Sequence, residues 1–452
     1  MCDVPFDDDY LRIDQGVLDV ERAQAIDEGR ELGRLDAAFE RVRERLGDSA
    51  DERQHEARAL CQQVRDRPTR EEYEYTEPST LAGIRRERPA GPRRTDVPAD
   101  PANRIRGAWL GRCCGCLLGK PVEGWSADRL WGFLRATDSD PLRAYLPADV
   151  PAAVRETYGL DDLPEYLDAF AAEIPHMVRD DDLDYTVAAL TVVSEHGTGF
   201  ETGDVARVWL ENLPVMKTFT AERIAYRNLL NLREPPETAR YCNPYREGIG
   251  AQIRADLYGY VCAGDPELAA ELAWRDARLS HVKNGIYGAM WVAAMLAVAP
   301  VIDDPAGVVR TGLTEVPAES RLAEAVADVL DWWAADCTYE EAVDRIHDRW
   351  DDGEEYEWLH AISNAQVVAI GLLWGEGEFA ASVGNAVQAG FDTDCNGATV
   401  GSVVGMSRGA ASIPDAWTAP LADTLETGLA DRPVASITDL ARETVALRDR
   451  RE

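Results

Sequence analysis

The sequence predicts an all-α protein of many helices, and three observations carry that expectation. Apolar residues recur at three- and four-residue spacing in segment after segment, with only short Gly, Pro and Asp punctuation between them. Alternating apolar/polar runs are scarce, and no βαβ rhythm occurs. Finally, 45% hydrophobic content with 12 Trp in 452 residues is enough for a large buried core and argues against overall disorder.

Taken in order, residues 1–88 read as an acidic helical N-terminal extension, with Leu, Ala, Ile and Phe at helical spacing over 17–46. Residues 89–103 form a Pro-rich linker or extended strap. There Pro89, Pro92, Pro98 and Pro101 stand among Arg93, Arg94 and Asp96, a composition that cannot continue a helix. Residues 104–452 read as one helical domain, with helices expected over 182–195, 267–279, 284–299, 321–335, 361–374, 379–389 and 396–411. In its first helix Gly107, Gly111, Gly115 and Gly119 recur every four residues, a stripe along one face that lets another backbone approach closely. The stripe runs into Lys120-Pro121-Val122-Glu123-Gly124, where a helix must end and present a carboxylate on a turn. The uncharged run 284–302 has the length of a membrane span, but it is rich in Ala and Gly and reads as a buried central helix.

Charge narrows the partners. Asp+Glu number 82 against 47 Lys+Arg, for a net charge of −35, and only Lys120, Lys217 and Lys283 are lysines. So acidic a chain is a poor match for a nucleic-acid backbone or an anionic membrane, and its surface resembles those kept hydrated at high salt. An acidic N-terminus without a basic-then-apolar pattern and nine irregularly spaced Cys lead us to expect a reduced, cytoplasmic location. Cys113-x-x-Cys116 has no second Cys pair or His cluster to complete a zinc site, and reads as small side chains packing a Gly-rich helix.

Among so many acids most runs are solvated, and Asp7-Asp8-Asp9 is read that way. Asp180-Asp181-Asp182-Leu183-Asp184 differs because it opens an apolar helix, where carboxylates can cap backbone N–H groups or bind a cation. Asp392 and Asp394 lie in Gly390-Phe391-Asp392-Thr393-Asp394-Cys395-Asn396-Gly397. Two apart, they would point about 200° apart on a regular helix and converge only where the chain turns. Buried together they repel unless a cation joins them, and hard oxygens without nearby His select Mg²⁺, Mn²⁺ or Ca²⁺. A structural turn with a helix cap is the alternative reading. His281, before the central helix, is by itself a cap or a packed ring.

Three segments together resemble the ADP-ribosylglycohydrolase family: residues 104–123 ending at Glu123, Asp180-Asp181-Asp182-Leu183-Asp184-Tyr185-Thr186, and residues 390–401. Their order and wide separation match, as does Ser280-His281 before a Gly/Ala-rich helix, and the likeness covers residues about 104–411. The resemblance implies a multi-helix orthogonal bundle of that family's type, with a cleft holding two Mg²⁺ or Mn²⁺ ions. It implies metal ligands at Asp180, Asp181, Asp182, Asp392 and Asp394. Cys395 stands where the family has a ligating Thr, and a thiol is a poor ligand for Mg²⁺. Cys116 stands where the family often has Asp. By the same resemblance Glu123 and Asp181 are catalytic, and His281, Gly390 and Asn396 bind substrate. The implied activity is metal-dependent hydrolysis of the ribosyl C1″ bond in an ADP-ribosylated protein or small molecule.

Asp180-Asp181-x-x-Asp184 also fits the DDxxD motif of isoprenoid synthases, but the second acid-rich motif of that class is missing. A hydrolase of a different ribosyl or nucleoside-like substrate, or an ADP-ribose binder without turnover, are the nearer alternatives.

Overall fold

The computed structural model describes residues 8–46, 51–96, 99–160, 167–171 and 173–451; Asp7 and Pro98, used above, lie outside them. The described residues are overwhelmingly helical. The one sheet among them is a short antiparallel pair, Thr424–Glu426 with Val434–Ser436, that no alternating pattern announced. None of the described helices is long and apolar enough to cross a membrane. The central helix, Lys283–Val298, is buried from Asn284 through Val298, so its uniformly apolar character comes from protein on all sides.

Two helices set the architecture around the site. The opening helix, Pro101–Gly119, starts on an Asp100 cap that accepts from the Asn103 amide at 3.2 Å, with Pro101 just inside. Its glycine stripe faces the closing helix, Thr393–Arg408, which carries a matching one. A Cβ on Gly111 would fall 2.0 Å from the Gly401 carbonyl oxygen, one on Gly115 1.9 Å from that of Gly397, and one on Gly107 2.3 Å from that of Gly405. The two backbones therefore touch over three turns, and only glycine permits it. Because the helices run antiparallel, the C-terminus of the first meets the N-terminus of the second. Thr393 Oγ1 donates to the Gly119 carbonyl at 2.9 Å, which brings the Glu123 turn and the Asp392 turn to one end of the pair.

The acidic run 17–46 is two helices, Gln15–Asp27 and Asp36–Arg45, separated where Gly29 (φ 79°) and Gly33 (φ 53°) take the left-handed conformation. With Asp51–Arg65 they enclose a second apolar cluster, in which Val17, Leu18, Phe39, Leu60 and Val64 meet Ala221, Ile224 and Tyr245. Buried ion pairs tie this region down: Arg246 to Glu21 (2.7 Å) and Glu28 (2.8 Å), and Arg321 to Glu77 (2.9 Å), Glu247 (2.7 Å) and Asp27. Of the Pro-rich stretch, residues 89–96 run extended, with the Thr95 amide on the Gly264 carbonyl at 2.9 Å and Arg93 on buried Glu315 at 2.6 Å, while residues 101–103 already belong to the opening helix, where Pro101 suits the first turn.

Candidate active site

The acid helix, Asp181–His196, begins where the Asp180 side chain accepts from the Asp182 amide at 2.9 Å. That cap fixes three consecutive carboxylates at the positive end of a helix, which favours their charge. The closing helix starts earlier than its sequence pattern suggested, so Asp392 is its cap residue and Asp394 lies in its first turn. Gly390 (φ 86°) and Phe391 (φ 60°) make the bend that lets the two carboxylates converge. Phe391 is held there by stacking on His347, ring centres 4.7 Å apart.

Ligand atoms of Cys116, Asp180, Asp182 and Asp394 all lie within 4.8 Å of one another, as do those of Asp392, Asp394 and Cys395. Asp180, Asp182, Asp392 and Asp394 are buried, whereas Asp181 and Glu123 are half-buried at the margin of the cluster. The opening helix sends two cations into this group. Lys120 Nζ lies 2.8 Å from Asp180 Oδ2, and the wholly buried Arg112 lies 3.0 Å from Asp182 Oδ1 and 3.1 Å from Asp256. Arg112 also donates to Thr186 Oγ1 (2.9 Å) and to the Asp182 and Ile253 carbonyls. Cys395 Sγ donates to the other oxygen of Asp182 at 3.2 Å. By contrast, Asp392 Oδ1 and Asp394 Oδ1 are buried with no hydrogen-bond partner.

Crowded carboxylates shape the electrostatics. Burial, then the Asp394 and Asp180 charges, push Glu123 well above the usual carboxylate range. Burial and its neighbour Asp180 raise Asp181 well above that range too. Asp392 is raised by burial and by Asp394, and Asp394 is pushed up to about 6 by burial and by Asp180. Asp180 alone is held low: burial would raise it, but Lys120 outweighs that. Orphaned, mutually repelling buried oxygens are the signature of a group that needs a proton or a cation.

Two of the residues expected to bind substrate lie on the turn and the closing helix. Gly390 is in the bend, and Asn396 donates to Asn364 Oδ1 at 2.7 Å, an oxygen that also accepts from the Asp392 amide at 3.1 Å. His281 is fully buried, with Nδ1 2.8 Å from Ser280 Oγ and 3.7 Å from Glu222. Glu222 belongs to a buried network in which Arg254 pairs with Glu222 and Asp276 and lies over the ring of Tyr185 on the acid helix. Burial, reinforced by Arg254, lowers the imidazole pKa far below its usual value, so the ring is neutral.

Sequence reasoning missed Arg112, Lys120 and Asn364. The signal for Lys120 was its rarity, one lysine of three, set directly before Pro-Val-Glu123.

The family model for ADP-ribosylglycohydrolase matches residues 97–451. The chain belongs to the ADP-ribosylglycohydrolase family. A solved structure described as an ADP-ribosylglycohydrolase-related protein complex is similar over 77% of this chain and 98% of that one, at 19% identity and a TM-score of 0.45. No curated protein matches. As an ADP-ribosylglycohydrolase family member the protein is a hydrolase of the glycosidase type, and members typically depend on divalent metal. Its buried Asp/Cys cluster is one that can hold such an ion.

Proposed function

We propose that this protein hydrolyses the ribosyl C1″ glycosidic bond of an ADP-ribosylated side chain or small molecule, dependent on Mg²⁺ or Mn²⁺. The observation that carries the reading is the convergence of Glu123, Asp180–Asp182 and Asp392–Asp394 on one end of the glycine-paired helices, with two buried carboxylate oxygens left without partners. The donor set is all hard oxygen apart from two thiols, which fits Mg²⁺ or Mn²⁺ and not Zn²⁺. Asp392 and Asp394 would hold the ion with Asp181 alongside. Bound there, a divalent ion supplies a site for ribose hydroxyls or water and offsets the negative charge met by a diphosphate substrate.

The chain's own groups divide the remaining work. Glu123, half-buried on its turn and raised by burial and by the Asp394 and Asp180 charges, would give its proton to the leaving group as the C1″ bond breaks. Carboxylates around the cleft stabilise the positive charge that develops on the ribose ring. Asn364 holds the Asp392 backbone and Asn396 in fixed relation, which keeps the two acids of the turn in register. We assign this chemistry to the chain from the opening helix onward, with 1–88 as an extension and the Pro-rich stretch before that helix as the strap that joins them.

The reading is tested by incubating the full chain with ADP-ribosyl-arginine and ADP-ribosyl-serine peptides and with O-linked ADP-ribose esters. Free ADP-ribose should appear with Mn²⁺ or Mg²⁺, stop on chelation, and resume when metal is restored. Release that is indifferent to chelation would refute the metal dependence, and no release from any linkage would refute the substrate class.

A further inference from the structure

The acids of this centre fall into two unequal halves. Both oxygens of Asp180 are engaged, Oδ2 by Lys120 at 2.8 Å and Oδ1 by the Asp182 amide at 2.9 Å. Both oxygens of Asp182 are engaged as well, Oδ1 by Arg112 at 3.0 Å and Oδ2 by the Cys395 thiol at 3.2 Å. Across the cluster, Asp392 Oδ1 and Asp394 Oδ1 have nothing. Lys120 and Arg112 thus each pair with an acid of the first half.

Resting on the hydrolase reading above, we propose that this centre takes one divalent ion, on Asp392 and Asp394, because Lys120 and Arg112 already fill the cationic role at Asp180 and Asp182. An ion at Asp392 and Asp394 satisfies orphaned oxygens and displaces no protein contact. A second ion at Asp180 and Asp182 would have to evict Lys120 from Asp180, separating a largely buried ammonium from the carboxylate it pairs with. It would also compete with Arg112, a wholly buried guanidinium whose only other carboxylate partner among the described residues is Asp256. The remaining donors on that side, Cys116 and Cys395, are thiols, which suit hard cations poorly. Arg112 lies on the opening helix and Lys120 caps that helix eight residues on, with Cys116 midway, so one face and its end deliver both charges.

The test is a Mn²⁺ titration of the full chain by calorimetry and electron paramagnetic resonance at fixed ionic strength. The resonance signal separates a spin-coupled ion pair from weakly held ions on the acidic surface. Wild type should bind one tight Mn²⁺ and give an uncoupled spectrum. Lys120→Met should bind a second and show coupling. Asp180→Asn, which keeps the helix cap, should bind its single Mn²⁺ within about twofold of wild type, whereas Asp394→Asn should lose at least tenfold. A coupled pair in wild type, a tenfold weakening in Asp180→Asn, or a single site in a folded Lys120→Met would each overturn the proposal. If wild type binds two ions and still releases ADP-ribose, this inference fails and the hydrolase reading stands. If it binds none and releases none, both fail.

Discussion

Glu123 is the residue on which catalysis is predicted to turn. Its carboxyl is raised by burial and by the Asp394 and Asp180 charges, so it is protonated where an ordinary glutamate is not. Glu123→Gln should lower kcat by about 10²–10⁴-fold while leaving the melting temperature close to wild type. Because the protonated acid is the working form, wild-type kcat should fall as pH rises through the raised value, and the variant should lack that alkaline limb. Asp392 gives a prediction of opposite sign for stability. Its oxygen is buried, unpartnered and beside Asp394, so Asp392→Asn should stabilise the metal-free protein by on the order of 1 kcal/mol. The same variant should lose the rise in melting temperature that Mn²⁺ gives wild type. Thermal melts with and without metal check both statements. At this scale the acids were legible because helix-start position sorted a few of them from the other carboxylates. Arg112 and Lys120 were not, since their meaning lies in pairings to Asp182 and Asp180 across gaps of 70 and 60 residues. His281 was singled out by its position before the central helix; its contact with Glu222 is one that no local pattern announces.

At the scale of elements, the glycine-paired helices position the site. The four-residue stripe was readable from sequence, but its partner was not: Gly397, Gly401 and Gly405 acquire meaning only when the two helices run antiparallel. Helix propensity alone would make Gly115→Ala stabilising by about 1 kcal/mol. The new methyl would sit 1.9 Å from the Gly397 carbonyl oxygen, which is rigid backbone, so packing decides the sign. Gly115→Ala should destabilise by at least about 1–3 kcal/mol and lower metal affinity by spreading the two turns apart. Gly203, in the helix Thr202–Asn212, has nothing within 4 Å of its would-be Cβ, and Gly203→Ala should stabilise by about 0.5–1 kcal/mol. Denaturant unfolding of the matched pair separates propensity from contact. Helix bounds were legible to within a few residues where apolar periodicity was strong, as at Ala361–Trp374. They failed where a helix opens on polar residues ahead of its apolar pattern, as at Thr393. The small sheet escaped because its strands are three residues each, too short to show alternation.

For the whole molecule, the charge of −35 and the proposed chemistry are linked. Most of the acids solvate the surface or pair with Arg, as Glu21, Glu28 and Glu77 do where the N-terminal helices and the strap join the rest of the chain. That long-range ion network was invisible in sequence, since it joins residues 21–28 to 246 and residue 77 to 321. A molecule so anionic repels a diphosphate substrate unless cations sit at the cleft, which is why divalent dependence and substrate class stand or fall together. The most direct test is to follow the C1″ anomeric proton of an ADP-ribosylated peptide by NMR during incubation with the Mg²⁺-loaded protein. The account predicts that the linked C1″ signal is replaced by the anomeric pair of free ADP-ribose, with the diphosphate phosphorus signals still those of an intact linkage. Persistence of the linked C1″ signal, or cleavage at the diphosphate in its place, would contradict it.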